Sequence, residues 1–131
     1  MQTCWRSATA LRTLKKYPEA ISCFDRALAL DPNCTLAWIN KGTALDSLKK
    51  YPEAISCYDR ALALDPNYTY AWNNKGGALY NLKKYGDAIS CYDHALAIDP
   101  NDTAAQNNKR VALEDQRNHI LSVNSSGLPK R

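Results

Sequence analysis

Three stretches of this chain are near-copies of one another. Residues 17–33 read YPEAISCFDRALALDPN and residues 51–67 read YPEAISCYDRALALDPN, differing only at Phe24 against Tyr58. Residues 85–101 repeat the text with changes at Gly86, Asp87, His94 and Ile98. The copies begin at Tyr17, Tyr51 and Tyr85, 34 residues apart each time. The text between them repeats as well, since Trp38, Asn40, Lys41, Gly42, Ala44 and Leu45 return as Trp72, Asn74, Lys75, Gly76, Ala78 and Leu79. A sequence period in this range marks an array of supersecondary units. One such unit cannot bury its own apolar face, so neighbouring units stack to complete the core.

Each unit reads as two helices. Ala37, Trp38, Ala44, Leu45 and Leu48 recur at spacings of one helical face, and so do Ala54, Ile55, Tyr58, Ala61 and Leu62. Thr35, Thr69 and Thr103 stand where they could cap the first helix of a unit. Pro52 suits the first turn of the second helix, where an N–H has no partner to lose. Pro66 stops that helix, because a residue before proline is pushed out of the α region. The pair Lys49-Lys50 lies in the turn between. Gly42 and Gly76 sit inside first helices at a cost of about 1 kcal/mol each against alanine. That cost implies a packing reason, and close approach to Ala54 and Ala88 on the partner helices is the expected one.

Residues Trp38, Gly42, Ala54, Tyr58, Ala61 and Pro66 resemble the tetratricopeptide repeat signature, and Trp72, Gly76, Ala88, Tyr92, Ala95 and Pro100 repeat it. The first unit departs from it, with Cys4 for the tryptophan and Ala8 for the glycine, while Ala20, Phe24, Ala27 and Pro32 conform. The resemblance implies an all-α, right-handed superhelical solenoid of antiparallel helix pairs. The expected repeats are 1–34, 35–68 and 69–102, followed by a capping helix over 103–121 and a flexible tail over 122–131. A fourth full unit is not expected. Arg110 stands at the glycine position, and Gln116 and His119 replace leucine and tyrosine.

Composition narrows the function. No aliphatic run exceeds four residues, as in 61–64, against the roughly 20 a spanning helix needs, so no membrane segment is expected. Met1 to Arg6 shows no basic start leading into an apolar stretch, so no secretory signal is expected. The net charge of +4 divides over the four segments as +2, 0, −1 and +3, with no coherent basic stripe, which disfavours nucleic acid as a partner. Lysine pairs at 15–16, 49–50 and 83–84 would form a solvated edge, with RNA contact along it the minor reading.

Cys23, Cys57 and Cys91 line up at the repeat period. Stacked helices lie about 8–10 Å apart, and a disulfide needs Cα atoms within about 7 Å. These cysteines therefore read as reduced packing residues of a cytoplasmic protein. No Cys-x-x-Cys spacing suggests a metal. His94 and His119, the only two histidines, pair with no recognisable nucleophile, so neither catalysis nor a cofactor is expected.

The concave groove expected of a tetratricopeptide superhelix is lined by the first helices. Asn40, Asn74 and Asn108 recur there at the repeat period, with Asn73 and Asn107 as a second file. An amide side chain offers two N–H donors and one acceptor oxygen, so it can hold the N–H and C=O of an extended peptide together. The arrangement resembles the asparagine ladder of a transferase in that family. Thr43, Tyr70 and Tyr80 are further groove candidates, with Trp5 a possible aromatic anchor. Members that clamp a C-terminal carboxylate use Lys and Asn, then Asn, then Lys and Arg on three successive first helices. Here those places hold Trp5, Thr9, Asn40, Tyr70 and Asn74, or one unit later Ile39, Thr43, Asn74, Ala104 and Asn108. The charged clamp is absent. The expected function is non-catalytic binding of a protein or peptide in the groove. A scaffold self-assembling into a homo-oligomer through its end faces is the alternative.

Overall fold

The structure, a computed structural model, describes residues 16–127, with side chains to Ser122. Residues 1–15, where the first helix of the first unit is expected, with Cys4, Trp5, Ala8 and Lys15, lie outside the described residues, as do 128–131. The described helices are α1 (Tyr17–Leu30), α2 (Thr35–Ser47), α3 (Tyr51–Leu64), α4 (Thr69–Asn81), α5 (Tyr85–Ile98) and α6 (Thr103–Gly127). Helices α2 and α3 form one antiparallel pair and α4 and α5 the next. Helix α2 approaches α4, and α4 approaches α6, to within 8 Å between Cα atoms, while α1 and α3, and α3 and α5, never come so close. First helices therefore crowd along an inner wall and second helices splay along an outer one. That difference in spacing is what curves the stack.

Helix limits follow from a few residues. Pro18 and Pro52 sit in the first turns of α1 and α3, and Gly86 takes that place in α5. Helices α1, α3 and α5 end at Leu30, Leu64 and Ile98, each two residues before a proline. The Asp31, Asp65 and Asp99 side chains then accept from the backbone N–H of Asn33, Asn67 and Asn101, closing the same tight turn three times. The sharper turns from α2 to α3 and from α4 to α5 place Lys49 (φ 60°) and Lys83 (φ 61°) in the left-handed region. There the Lys50 N–H donates to the Leu45 carbonyl at 2.9 Å and the Lys49 N–H to the Asp46 carbonyl at 2.9 Å, a Schellman closure without its usual glycine.

Two local expectations change. Thr35 and Thr69 do not cap. Each is the first residue of its helix, and the caps are Cys34 and Tyr68, which make no side-chain bond. At α6 an acid does the work, since Asp102 Oδ1 accepts from the Ala105 N–H at 3.2 Å. The glycines face aromatic rings rather than the small residues of the partner helix. A Cβ on Gly42 would lie 2.5 Å from Tyr58 Cε1, and one on Gly76 2.6 Å from Tyr92 Cε1. The core buries both rings, Tyr58 and Tyr92, along with Phe24 and Ile39.

Helix α6 runs to Gly127, beyond the expected end at Leu121. Nothing in residues 122–126 breaks a helix, and the first strong breakers are Gly127 and Pro129. Units are also stapled by one repeated hydrogen bond. Trp38 and Trp72 Nε1 donate to the Pro32 and Pro66 carbonyls at 2.8 Å, and Gln106, at the third tryptophan place, donates through Nε2 to the Pro100 carbonyl at 2.8 Å.

Candidate functional site

The inner wall is the surface left free by α2, α4 and α6. Positions equivalent by the repeat form files across it. Leu36, Tyr70 and Ala104 make one file, and Leu36 and Tyr70 are half exposed. Asn40, Asn74 and Asn108 make the second. Thr43, Gly77 and Val111 make the third, and a Cβ on Gly77 would meet nothing within 4 Å. Asn107 and Asn108 are exposed, and Asn40, Asn73 and Asn74 are partly buried.

The expected site residues fall into two groups. Some are engaged inside the array. Thr43 Oγ1 donates to the Asn40 carbonyl at 2.9 Å. Asn73 Nδ2 donates to Asp102 Oδ2 at 2.8 Å, which ties α4 to the start of α6. The Tyr80 hydroxyl donates to Asp115 Oδ2, a second tie between the same helices. That bond, with burial, pushes the Tyr80 phenol up to about 12. Others keep bonding capacity. Asn73 Oδ1 and Asn74 Nδ2 are both buried from solvent with no partner in the chain. These are an acceptor and a donor on consecutive residues of one helix.

Three carboxylates on or beside this wall escaped the sequence reading. Asp102 and Asp115 hold the bonds just described. Asp46 Oδ2 accepts from the Tyr58 hydroxyl at 2.5 Å, and its Oδ1 is buried without a partner. Burial raises the Asp46 carboxyl above its usual range, and the Tyr58 bond opposes that in part. None of the three forms an ion pair among the described residues. They carry no periodic signal, because the places equivalent to Asp46 hold Tyr80 and Glu114. Leu36 could have been found, since it stands in register with Tyr70.

The lysines of the first helices are committed elsewhere. Lys41, Lys75 and Lys109 each pair with an aspartate of the preceding unit, Asp25, Asp59 and Asp93, at 2.7 Å. Lys41 and Arg60 lie over the Trp38 ring at 5.7 and 5.0 Å. His94, in the Arg60 place of its unit, stacks on Trp72 at 4.4 Å between centroids. His119 meets Tyr85 at 6.1 Å. Burial pushes the Cys57 and Cys91 thiols up to about 11, which keeps them protonated at neutral pH. Among the described residues no group of His, Cys, Asp and Glu has the arrangement of a metal site, and no helix is long and apolar enough to cross a membrane.

No curated protein sequence matches the chain. Solved structures do. One is the first tetratricopeptide domain of Spaghetti (RPAP3) bound to the HSP90 peptide SRMEEVD, at 28% identity over 88% of this chain and 92% of that one, with a TM-score of 0.84. The first such domain of human RPAP3 matches at 30% identity over 89% and 94%, with a TM-score of 0.82. The second domain of human RPAP3, in complex with the HSP70 peptide SGPTIEEVD, matches at 26% identity over 82% and 89%, with a TM-score of 0.78. The tetratricopeptide repeat model fits three times in succession, at residues 6–34, 35–68 and 69–102. With the paired helices, the glycine-seated rings and the curved inner wall already described, those three consecutive fits make the chain a member of the tetratricopeptide repeat family.

Proposed function

We propose that this chain is a non-catalytic protein-interaction module whose inner wall holds a peptide segment of a partner. The carrying observation is the pair of unpartnered amide atoms, Asn73 Oδ1 and Asn74 Nδ2, on the wall formed by the first helices. A buried donor or acceptor without a partner costs about 1–3 kcal/mol. A small shift of the two side chains toward the wall would open these atoms to a peptide backbone passing along α4, which supplies an N–H for the one and a C=O for the other. Asn40, Asn107 and Asn108 continue the amide surface, and Leu36 and Tyr70 offer apolar contact beside it. Thr43, Tyr80 and the bonded half of Asn73 hold this wall in shape. The Cys57 and Cys91 thiols are buried and protonated and His94 stacks on Trp72, which supports a binding role over catalysis. Unbridged packing cysteines fit the cytoplasm.

The structural neighbours solved with peptides hold sequences ending in EEVD. This wall is built for a different ligand. Lysine and arginine are missing from the clamp places, and Asp46, Asp102 and Asp115 add negative charge. A synthetic SRMEEVD peptide is therefore expected to show no saturable binding. The native partner is sought with the chain as bait, beside an Asn40→Ala/Asn74→Ala variant and a Lys49→Gln/Lys50→Gln variant. Partners lost only from the asparagine variant support the groove. Asn74→Ala alone should weaken such a partner about two- to tenfold, as one net hydrogen bond of about 0.5–1.5 kcal/mol allows, with little salt dependence. Loss only from the lysine variant, with steep salt dependence, would place binding on the turn edge and end the groove reading.

A further inference from the structure

Helix α6 starts in register with the first helices of the units but does not end like them. Its residues 103–115 correspond to Thr69–Asn81 of α4, at the 34-residue offset. Arg117 then falls where Lys49 and Lys83 turn the chain back in the left-handed conformation. In α6 no turn occurs, and the helix runs on to Gly127. Among the described residues no second helix returns along it. Leu113 is the equivalent of Leu45 and Leu79, which are 7% and 8% exposed in the core, yet it is 44% exposed. Ile120 and Leu121 follow at 50% and 58%. Together with Arg110, Glu114 and Arg117 these residues line one open depression of about 460 Å³.

The ordinary occupant of this face, a second tetratricopeptide helix, has lost its seat. Such a helix sets an aromatic ring against Gly42 or Gly76, and α6 has Arg110 at that place. The face instead complements itself. Leu113 and Ile120 are seven residues apart, two helical turns along one seam, with the charges beside them. When two α6 helices cross antiparallel about a two-fold axis, Leu113 of one lies beside Ile120 of the other. The same axis leaves Glu114 of each copy about 3 Å along the helix from the level of Arg117 of the other, twice, a gap that both long side chains span. Arg117 makes no ion pair among the described residues, and Glu114 meets only Arg110, at 3.2 Å on an exposed surface. We propose that this face docks a second copy of the chain, α6 against α6, in an isologous dimer. The groove plays no part in it.

The test is sedimentation velocity on the full chain from about 5 to about 300 µM, a range that brackets weak association. The mass should climb from the 14.6 kDa monomer toward the dimer across that range. Leu113→Glu/Ile120→Glu should stay monomeric throughout, with unchanged helical circular dichroism because both positions are exposed. Arg117→Glu should weaken the dimer by about five- to tenfold, since each charge pair is modest and symmetry doubles it. Glu114→Arg/Arg117→Glu should recover most of that loss. Three results would overturn the proposal: a monomer at every concentration, a dimer indifferent to Leu113→Glu/Ile120→Glu, or a double charge reversal no better than Arg117→Glu alone.

Discussion

Gly76 and Gly77 are adjacent in one helix and do opposite jobs. A methyl group on Gly76 would strike the Tyr92 ring at 2.6 Å, and that ring is buried and has nowhere to go. Alanine there gains about 1 kcal/mol of helix propensity and loses about 1–3 kcal/mol to overpacking. The clash is severe enough to set the sign, so Gly76→Ala should lose about 1–2 kcal/mol on balance. A methyl on Gly77 would point into open space on the inner wall. Gly77→Ala should therefore gain up to about 1 kcal/mol. Denaturant unfolding of the two variants checks both signs at once. Lys49 poses the reverse case, a side chain held at φ 60°. Lys49→Gly should stabilise by about 0.5–1 kcal/mol, since glycine occupies that region without the Cβ penalty. An unchanged midpoint would mean that the turn relaxes around lysine at no cost.

At the scale of the element, α6 is the piece on which the array depends. Ala112 of α6 packs with Leu79, Ala88, Cys91 and Tyr92 in one buried cluster. Asp102 caps α6 and holds Asn73 with the same carboxylate, and Asp115 holds Tyr80. A chain stopped after Asn101 loses the cover of that cluster and both ties, and should aggregate or unfold at a lower denaturant concentration. A chain stopped after Ser122 keeps every one of these contacts and should melt within a few degrees of the full chain. Equal behaviour of the two in thermal melts would show that the cluster needs no cap. Gln106 shows what a terminal element can trade. It gives up the tryptophan ring that staples the earlier units but keeps the 2.8 Å bond to the proline carbonyl, so the joint survives without the aromatic surface.

Across the molecule as described, the buried thiols and phenols that shift do so with one sign. Cys57 and Cys91 move from 9.0 to about 11 and Tyr92 from 10.0 to about 12, all mainly through burial. Tyr58 moves up as well, through burial and its bond to Asp46. Each raised value means that the folded form keeps its proton after the unfolded chain has lost it. Stability from these groups is complete below pH 9 and falls as pH rises from 9 to 11 for the thiols and on to 12 for Tyr92. Unfolding free energies at pH 8 and pH 10.5 should show that fall, and Cys57→Ala/Cys91→Ala should flatten it. A curve equally steep without the two thiols would assign the effect to the tyrosines.

The period by itself determined the repeat architecture, because a 34-residue copy of an apolar stripe, a proline stop and a glycine has one economical solution, stacked helix pairs. It also placed Asn40, Asn74 and Asn108 in one file and ruled out the charged clamp, since equivalence along a stack is arithmetic. The period could not say which of those side chains were already in use. Asn73, Tyr80 and Thr43 look alike as groove residues in the sequence, yet all three are bonded within the array, two of them to Asp102 and Asp115, about thirty residues or more away. Those acids obey no repeat, so only the folded chain brings them to their partners. The ring above each glycine was hidden for the same reason, being a contact between two helices that depends on how a side chain turns. The open face of α6 was decided where periodicity fails. Once Arg117 replaces the turning lysine in a continuing helix, neighbours in space, and not the copied text, determine what stays exposed.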